Sequence, residues 1–213
     1  MFNFKKAEIL AKELRMMQPA NSLSLNVLSM EYDRYVYFDS FENYSKLCGV
    51  PLSALTMNGK LKDGYTIKVN KNVNVILYHE GSTGKPRLNW TLAHEIGHIY
   101  LGHDDDGEIQ EVEANQFAAE LLMPTPIITR LARKISLTPN VIAKTFSVSE
   151  EAAKHKIGSL SRGGVGSSYL VKDILDKYKQ PLDELISYYN KQRCQFKRNN
   201  SAVYDYDSEV QAM

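Results

Sequence analysis

Residues 90–103 read WTLAHEIGHIYLGH, and no other stretch of the chain restricts its fold as tightly. From Leu88 to Gly102 the apolar residues recur at helical spacing, and Gly102 followed by Asp104, Asp105, Asp106 and Gly107 marks the stop. On that helix His94 and His98 are four residues apart, which puts them about 40° apart and about 6 Å up one face. Two imidazoles so placed can reach one ion. Neutral imidazole nitrogen suits zinc, and two ligands from one helix leave room for a third ligand and a water. Glu95, beside the first histidine, is placed to take a proton from that water rather than to bind the metal. With His at 5 and Glu at 14 of 213 positions, chance alone produces the H-E-x-x-H order in under about 1 in 100 chains of this composition.

A third ligand should come from the helix expected over about Glu108 to Met123, which Pro124 and Pro126 stop. It carries EVEANQFAAELLMP, with acidic residues at Glu111, Glu113 and Glu120. Glu113 and Glu120 share a face with Phe117, and Glu111 lies about 200° round from Glu113. Spacing alone leaves Glu113 and Glu120 both open. Gly97 and the alanines of the second helix let the two helices approach closely.

The stretch from Arg87 to Pro124 resembles the ImmA/IrrE family of metallopeptidases, whose members carry R-x-R-F-T-x-A-H-E-x-G-H and then E-A-N-x-F-A-A-x-L-L-M-P. Asn89 and Trp90 replace the family's second arginine and its phenylalanine, neither of them a ligand position. The resemblance implies an α+β, zincin-like peptidase core made of a small antiparallel sheet plus active-site helices, with a helical appendage behind it. It implies Zn2+ held by His94, His98 and Glu113, the glutamate before Ala-Asn, with Glu95 as catalytic base. It also implies a zinc-dependent endopeptidase whose protein substrate is a helix-turn-helix repressor of a mobile element or stress response.

The rest of the chain is read from pattern. Ala7, Leu10, Ala11, Leu14 and Met17 form one face of an amphipathic helix ended by Pro19, a packed helix rather than a membrane-surface one because its polar face mixes charges. Tyr35–Phe38, Tyr65–Val69 and Val73–Tyr78 are strand-like, the last two flanking an Asn-Lys-Asn turn. Thr125-Pro126 and Thr138-Pro139 each read as a helix cap followed by proline at the first helical position. Ser147 with Glu150 reads as a capping box, Gly163-Gly164 as a linker, and the polar tail from Phe196 onward as frayed. The expected divisions are a peptidase domain at 1–126, a helix-turn-helix-like subdomain at 127–163, and C-terminal helices and tail at 164–213.

Charge sorts along the chain. Residues 1–126 have a net charge of −4 and residues 127–213 of +5, while the whole stands at +1, which excludes a uniformly basic nucleic-acid coat. Lys144, Lys154, Lys156 and Arg162 give the second subdomain a faint DNA-binding look, but Glu150 and Glu151 interrupt them. A helical pair packed on the peptidase or holding a protein partner is the favoured reading. A non-catalytic module binding DNA or a transcription factor, or an antitoxin-like partner, is the alternative function, disfavoured because a structural metal site has no need of Glu95. Cys48 and Cys194 make no disulfide framework, and no export signal or membrane span is visible, so a cytoplasmic setting is expected. His103 is turned about 140° from His98 and reads as a helix cap, His79 and His155 lack any partner pattern, and the Asp104–Asp106 run lacks the spacing of a calcium loop. Spacing does not identify the group that stabilises an oxyanion; Tyr100 or a tyrosine elsewhere is a candidate.

Overall fold

The computed structural model describes residues 2–55, 63–70, 72–79, 84–105, 107–161 and 168–210, with side chains described as far as residue 195, Ser161 excepted. The expected Gly163-Gly164 linker, Arg162 and Asp106 lie outside the described residues.

Helix α1 (Phe4–Met17) begins where the Asn3 side chain accepts the Lys6 N–H, and it buries Ala7, Ala11 and Leu14 as its periodicity requires. Strand β1 (Tyr35–Ser40) follows, then helix α2 (Phe41–Cys48), capped by the Ser40 hydroxyl and closed by Gly49 at φ +64°. Strands β2 (Gly64–Lys68) and β3 (Val73–Tyr78) pair antiparallel across a turn in which the Asn70 side chain accepts from the Asn72 and Val73 amides.

The sheet differs from expectation in one respect. Its order is β1-β3-β2, and β1 runs parallel to β3, so it is mixed rather than antiparallel. The link from β1 to β3 carries α2 and a second strand, long enough to bring the chain back to the same end of the sheet. The central position of β3 accounts for the burial of Ile76 and Leu77.

Helices α3 (Lys85–Leu101) and α4 (Glu108–Leu122) pack against each other and against α1 and the sheet. Pro86 opens α3 in its first turn, and Gly102, at φ +77°, closes it by donating to the His98 carbonyl. Gly97 sets the distance between the two helices. A Cβ there would lie 3.1 Å from the Ala114 carbonyl oxygen and 3.2 Å from its Cα, so a side chain at this position would press on the α4 backbone.

Beyond Pro124 come α5 (Thr125–Ala132), α6 (Pro139–Phe146), α7 (Glu150–Ser161), α8 (Val171–Lys177) and α9 (Lys179–Val210). Thr138 caps α6 as expected. Thr125 does not cap α5, because its hydroxyl and amide are both given to Glu120. Nor do Ser147 and Glu150 form a capping box. Ser147 is the left-handed residue ending α6, at φ +54°, and Ser149 caps α7 by accepting the Ala152 N–H at 3.1 Å. The tail read as frayed continues as the helix α9 to Val210.

Most of the buried apolar residues form one contiguous cluster that runs from Ala7 through Ile96, Phe117 and Leu121 into Ile127, Phe146, Ala153, Ile174 and Leu182. A polar network lies inside it. Glu120, fully buried, accepts from Lys156 Nζ (2.8 Å), Thr125 Oγ1 (2.6 Å) and the Thr125 amide (3.1 Å), and Lys12 Nζ stands 3.8 Å away. Beside it the buried Arg15 donates to the carbonyls of Leu121 and Leu23 and lies over the Tyr178 ring. Burial pushes the Arg15 guanidinium below its ordinary pKa. These contacts join α1, α4, α5 and α7 through charge as well as through apolar packing. No helix among the described residues is long and apolar enough to cross a membrane.

Candidate metal centre

The buried face of α3 (Leu92, Ala93, Ile96, Gly97) fixes the rotation of the helix, and that rotation turns His94 and His98 together toward α4. Their Nε2 atoms lie 3.0 Å apart. The third group beside them is Glu111, whose Oε2 is 3.3 Å from His94 Nε2 and whose Oε1 is 3.6 Å from His98 Nε2. Among the described residues these three form the cluster able to hold a metal ion. Four-coordinate zinc with bonds of about 2.1 Å needs ligand atoms about 3.4 Å apart, so separations of 3.0 to 3.6 Å fit that ion. Two imidazoles and one carboxylate are also a donor set that suits it.

Glu113, expected as the third ligand, is placed elsewhere. Its Oε2 is 3.1 Å from His103 Nε2, and its Oε1 accepts the Asn3 backbone N–H at 2.5 Å. That N–H foremost, and His103 after it, hold the Glu113 carboxyl below the usual carboxylate range against the opposing effect of burial. Glu120, the other residue left open by spacing, is the buried partner of Lys156.

The crossing at Gly97 explains why Glu111 stands beside the two histidines. Ala114 meets Gly97, and on a helix Glu111, Ala114, Asn115 and Ala118 occupy one face at i, i+3, i+4 and i+7. Glu113, Phe117 and Glu120 occupy the next face round, which is buried. The sequence signal for Glu111 was therefore the row of small residues opposite Gly97.

Each histidine is steered from behind. Asn115 Oδ1, an acceptor only, is 3.1 Å from His94 Nδ1, which matches the neutral tautomer whose Nδ1 carries the proton and whose Nε2 turns its lone pair to the cluster. His98 Nδ1 is 3.1 Å from Nδ1 of His103, whose side chain thus faces the site although its backbone ends the helix.

Glu95 lies between the cluster and the sheet. Thr66 Oγ1, from β2, donates to Glu95 Oε2 at 2.6 Å. Glu95, His98 and Glu111 share a cleft of about 540 Å³ with Tyr65, Thr66 and His103. Lys68 joins the far end of β2 to Asp104 Oδ1 at 2.7 Å and to the His103 carbonyl. Tyr100 plays no part in the cleft. Its hydroxyl donates to Asp33 Oδ1 at 2.6 Å and its ring lies under Arg34, and burial with that hydrogen bond raises its pKa. Asn89, where the family has arginine, is buried and clamps the Val27 amide and the Leu25 carbonyl.

The approach of β2 to α3 depends on Gly64. A Cβ there would stand 2.6 Å from Thr91 Cγ2 and 3.3 Å from Glu95 Cγ. Gly64→Ala should therefore cost about 1–3 kcal/mol by overpacking. Adding Thr91→Ser removes the clashing methyl and should recover most of the loss in thermal unfolding. Additive losses in the double variant would show that the contact is unimportant.

The family described as IrrE N-terminal-like domain, Peptidase M78, matches residues 48–158, more than half of the chain. The chain belongs to this family of metallopeptidases. It is also similar to the radiation response metalloprotease IrrE of Deinococcus radiodurans, at 35% identity over 103 residues, covering 41% of this chain and 31% of that protein. The chain thus matches under a third of the length of that relative. The region matched to the family holds α3 and α4 with every residue of the cluster, and it extends into α7.

Proposed function

We propose that the chain is a zinc-dependent endopeptidase in which His94, His98 and Glu111 hold the metal and Glu95 is the catalytic base. The convergence of the two Nε2 atoms on the Glu111 carboxylate, with His98 and Glu111 sharing one cleft with Glu95, carries this reading. A bound zinc ion supplies Lewis acidity to the substrate carbonyl and to water. Glu95 takes the proton from the attacking water and passes it to the departing amine, and the Thr66 hydroxyl holds the Glu95 carboxylate in place meanwhile. His98→Ala and Glu111→Ala should each bring zinc well below one equivalent by elemental analysis, with Glu113→Gln retaining it. Full zinc in Glu111→Ala would remove that residue from the ligand set.

The substrate we propose is a protein, and specifically a helix-turn-helix repressor, cut in the cytoplasm to release transcription. The resemblance over residues 87–124 supports this, together with the exposed, unpaired thiols Cys48 and Cys194. Co-expression with the product of a neighbouring helix-turn-helix gene, wild type against Glu95→Gln, tests it. A discrete fragment with wild type alone is the expected result, and an intact partner in both would remove the repressor as substrate. We place residues 127–163 as a subdomain braced on the peptidase core of residues 1–126, ahead of C-terminal helices at 164–213. Lys156 speaks against a DNA-binding role for that subdomain, because its ammonium is buried on Glu120 instead of facing a phosphate.

A further inference from the structure

The two histidines of the cluster are not held alike. Behind His94 stands the neutral amide of an exposed residue, Asn115. Behind His98 a file of groups runs inward: His98 Nδ1 to His103 Nδ1 at 3.1 Å, His103 Nε2 to Glu113 Oε2 at 3.1 Å, and Glu113 Oε1 to the Asn3 amide at 2.5 Å. The side chains of His98, His103 and Glu113 are each about one-tenth exposed.

With His103 as the neutral imidazole, donors and acceptors in the file can be arranged in one consistent way. The Asn3 N–H can only donate and the Glu113 carboxylate can only accept, so His103 Nε2 carries hydrogen toward Glu113. His103 Nδ1 is then an acceptor, and it receives the hydrogen on His98 Nδ1. His98 is thereby fixed in the tautomer whose Nε2 has a lone pair directed at His94 Nε2 and Glu111. A buried carboxylate at the end of such a file raises the basicity of the imidazole and locks its ring orientation.

We propose that His103 and Glu113, anchored by the Asn3 amide at the start of α1, are positioning residues that set the tautomer and orientation of His98 and so tune the metal affinity of the cluster. The proposal rests on the reading of His94, His98 and Glu111 as metal ligands. It gives Glu113 a role one residue removed from the metal, and it gives His103 a role that helix capping does not explain. It also ties the first turn of α1 to the site, where Lys6 Nζ reinforces the junction by donating to the Leu101 carbonyl at 2.8 Å.

The test uses the full chain stripped of metal with a chelator, and measures zinc affinity by competition with a chromophoric chelator. His103→Ala should weaken zinc binding about 10- to 100-fold. His103→Asn places an acceptor oxygen where Nδ1 stands and should recover most of that loss, while Glu113→Gln should weaken binding by less than about tenfold. Thermal unfolding of the metal-free variants separates this role from simple packing, which would lower stability and leave affinity alone. Wild-type affinity in His103→Ala, or equal losses in the Ala and Asn variants, would overturn the proposal. Absence of zinc binding by the wild-type chain would instead overturn the metal reading beneath it.

Discussion

Glu95→Gln should keep its zinc and lose roughly two to four orders of magnitude in cleavage rate, the share of catalysis that a positioned base contributes. The amide is nearly isosteric with the carboxylate and still offers an oxygen to the Thr66 hydroxyl, so the local packing around β2 and α3 is preserved. What it cannot do is accept a proton from water at neutral pH. His94 and His98, with Glu111, are untouched, and zinc content by elemental analysis should equal that of the wild type. Cleavage of the co-expressed partner at an unchanged rate would rule out Glu95 as the base.

The second large effect is on stability. Glu120→Gln should destabilise the protein by about 3–5 kcal/mol, because it leaves Lys12 and Lys156 buried without their shared anion. For a chain of this size that is a fall in Tm on the order of 10 °C. Replacing all three at once, with Lys12→Met, Glu120→Leu and Lys156→Met, should restore much of the loss, since apolar groups of similar volume carry no desolvation penalty. Thermal unfolding of metal-free protein measures both. A near-neutral Glu120→Gln would mean that α7 is not held to α4 by this pair.

How much of this was visible in the residues varies with the range of the interaction. The helical spacing of Ala7, Ala11 and Leu14, the glycine end of α3, and the hairpin of β2 and β3 are local matters, and they are seen where pattern put them, whereas α3 begins at Lys85, ahead of the Leu88 that apolar spacing marks. The parallel pairing of β1 with β3 was not legible, because strand propensity carries no information about which strand lies beside which. The two histidines are neighbours by helix geometry alone, whatever the rest of the chain does. Glu111 needed the crossing of two helices, which is decided by the missing side chain at Gly97 and not by the spacing of acidic residues. Glu120 and Lys156 are 36 residues apart, and nothing in the local sequence marks either as a member of a buried pair. On a continuing helix His103 would be turned away from His98, but the chain leaves the helix at Gly102 in a left-handed turn that swings the ring back toward His98.

The contact at Gly97 has a bearing on how tightly the three donor groups are gathered. Because the backbone of α4 rests on a bare α-carbon, the two rods stand close, and the Glu111 carboxylate comes within 3.3 Å of one imidazole and 3.6 Å of the other. A methyl group between the rods would draw the carboxylate away from both rings and leave the rings' own spacing unchanged, since they share one rod. The compactness of the trio is thus set in part by a residue outside it.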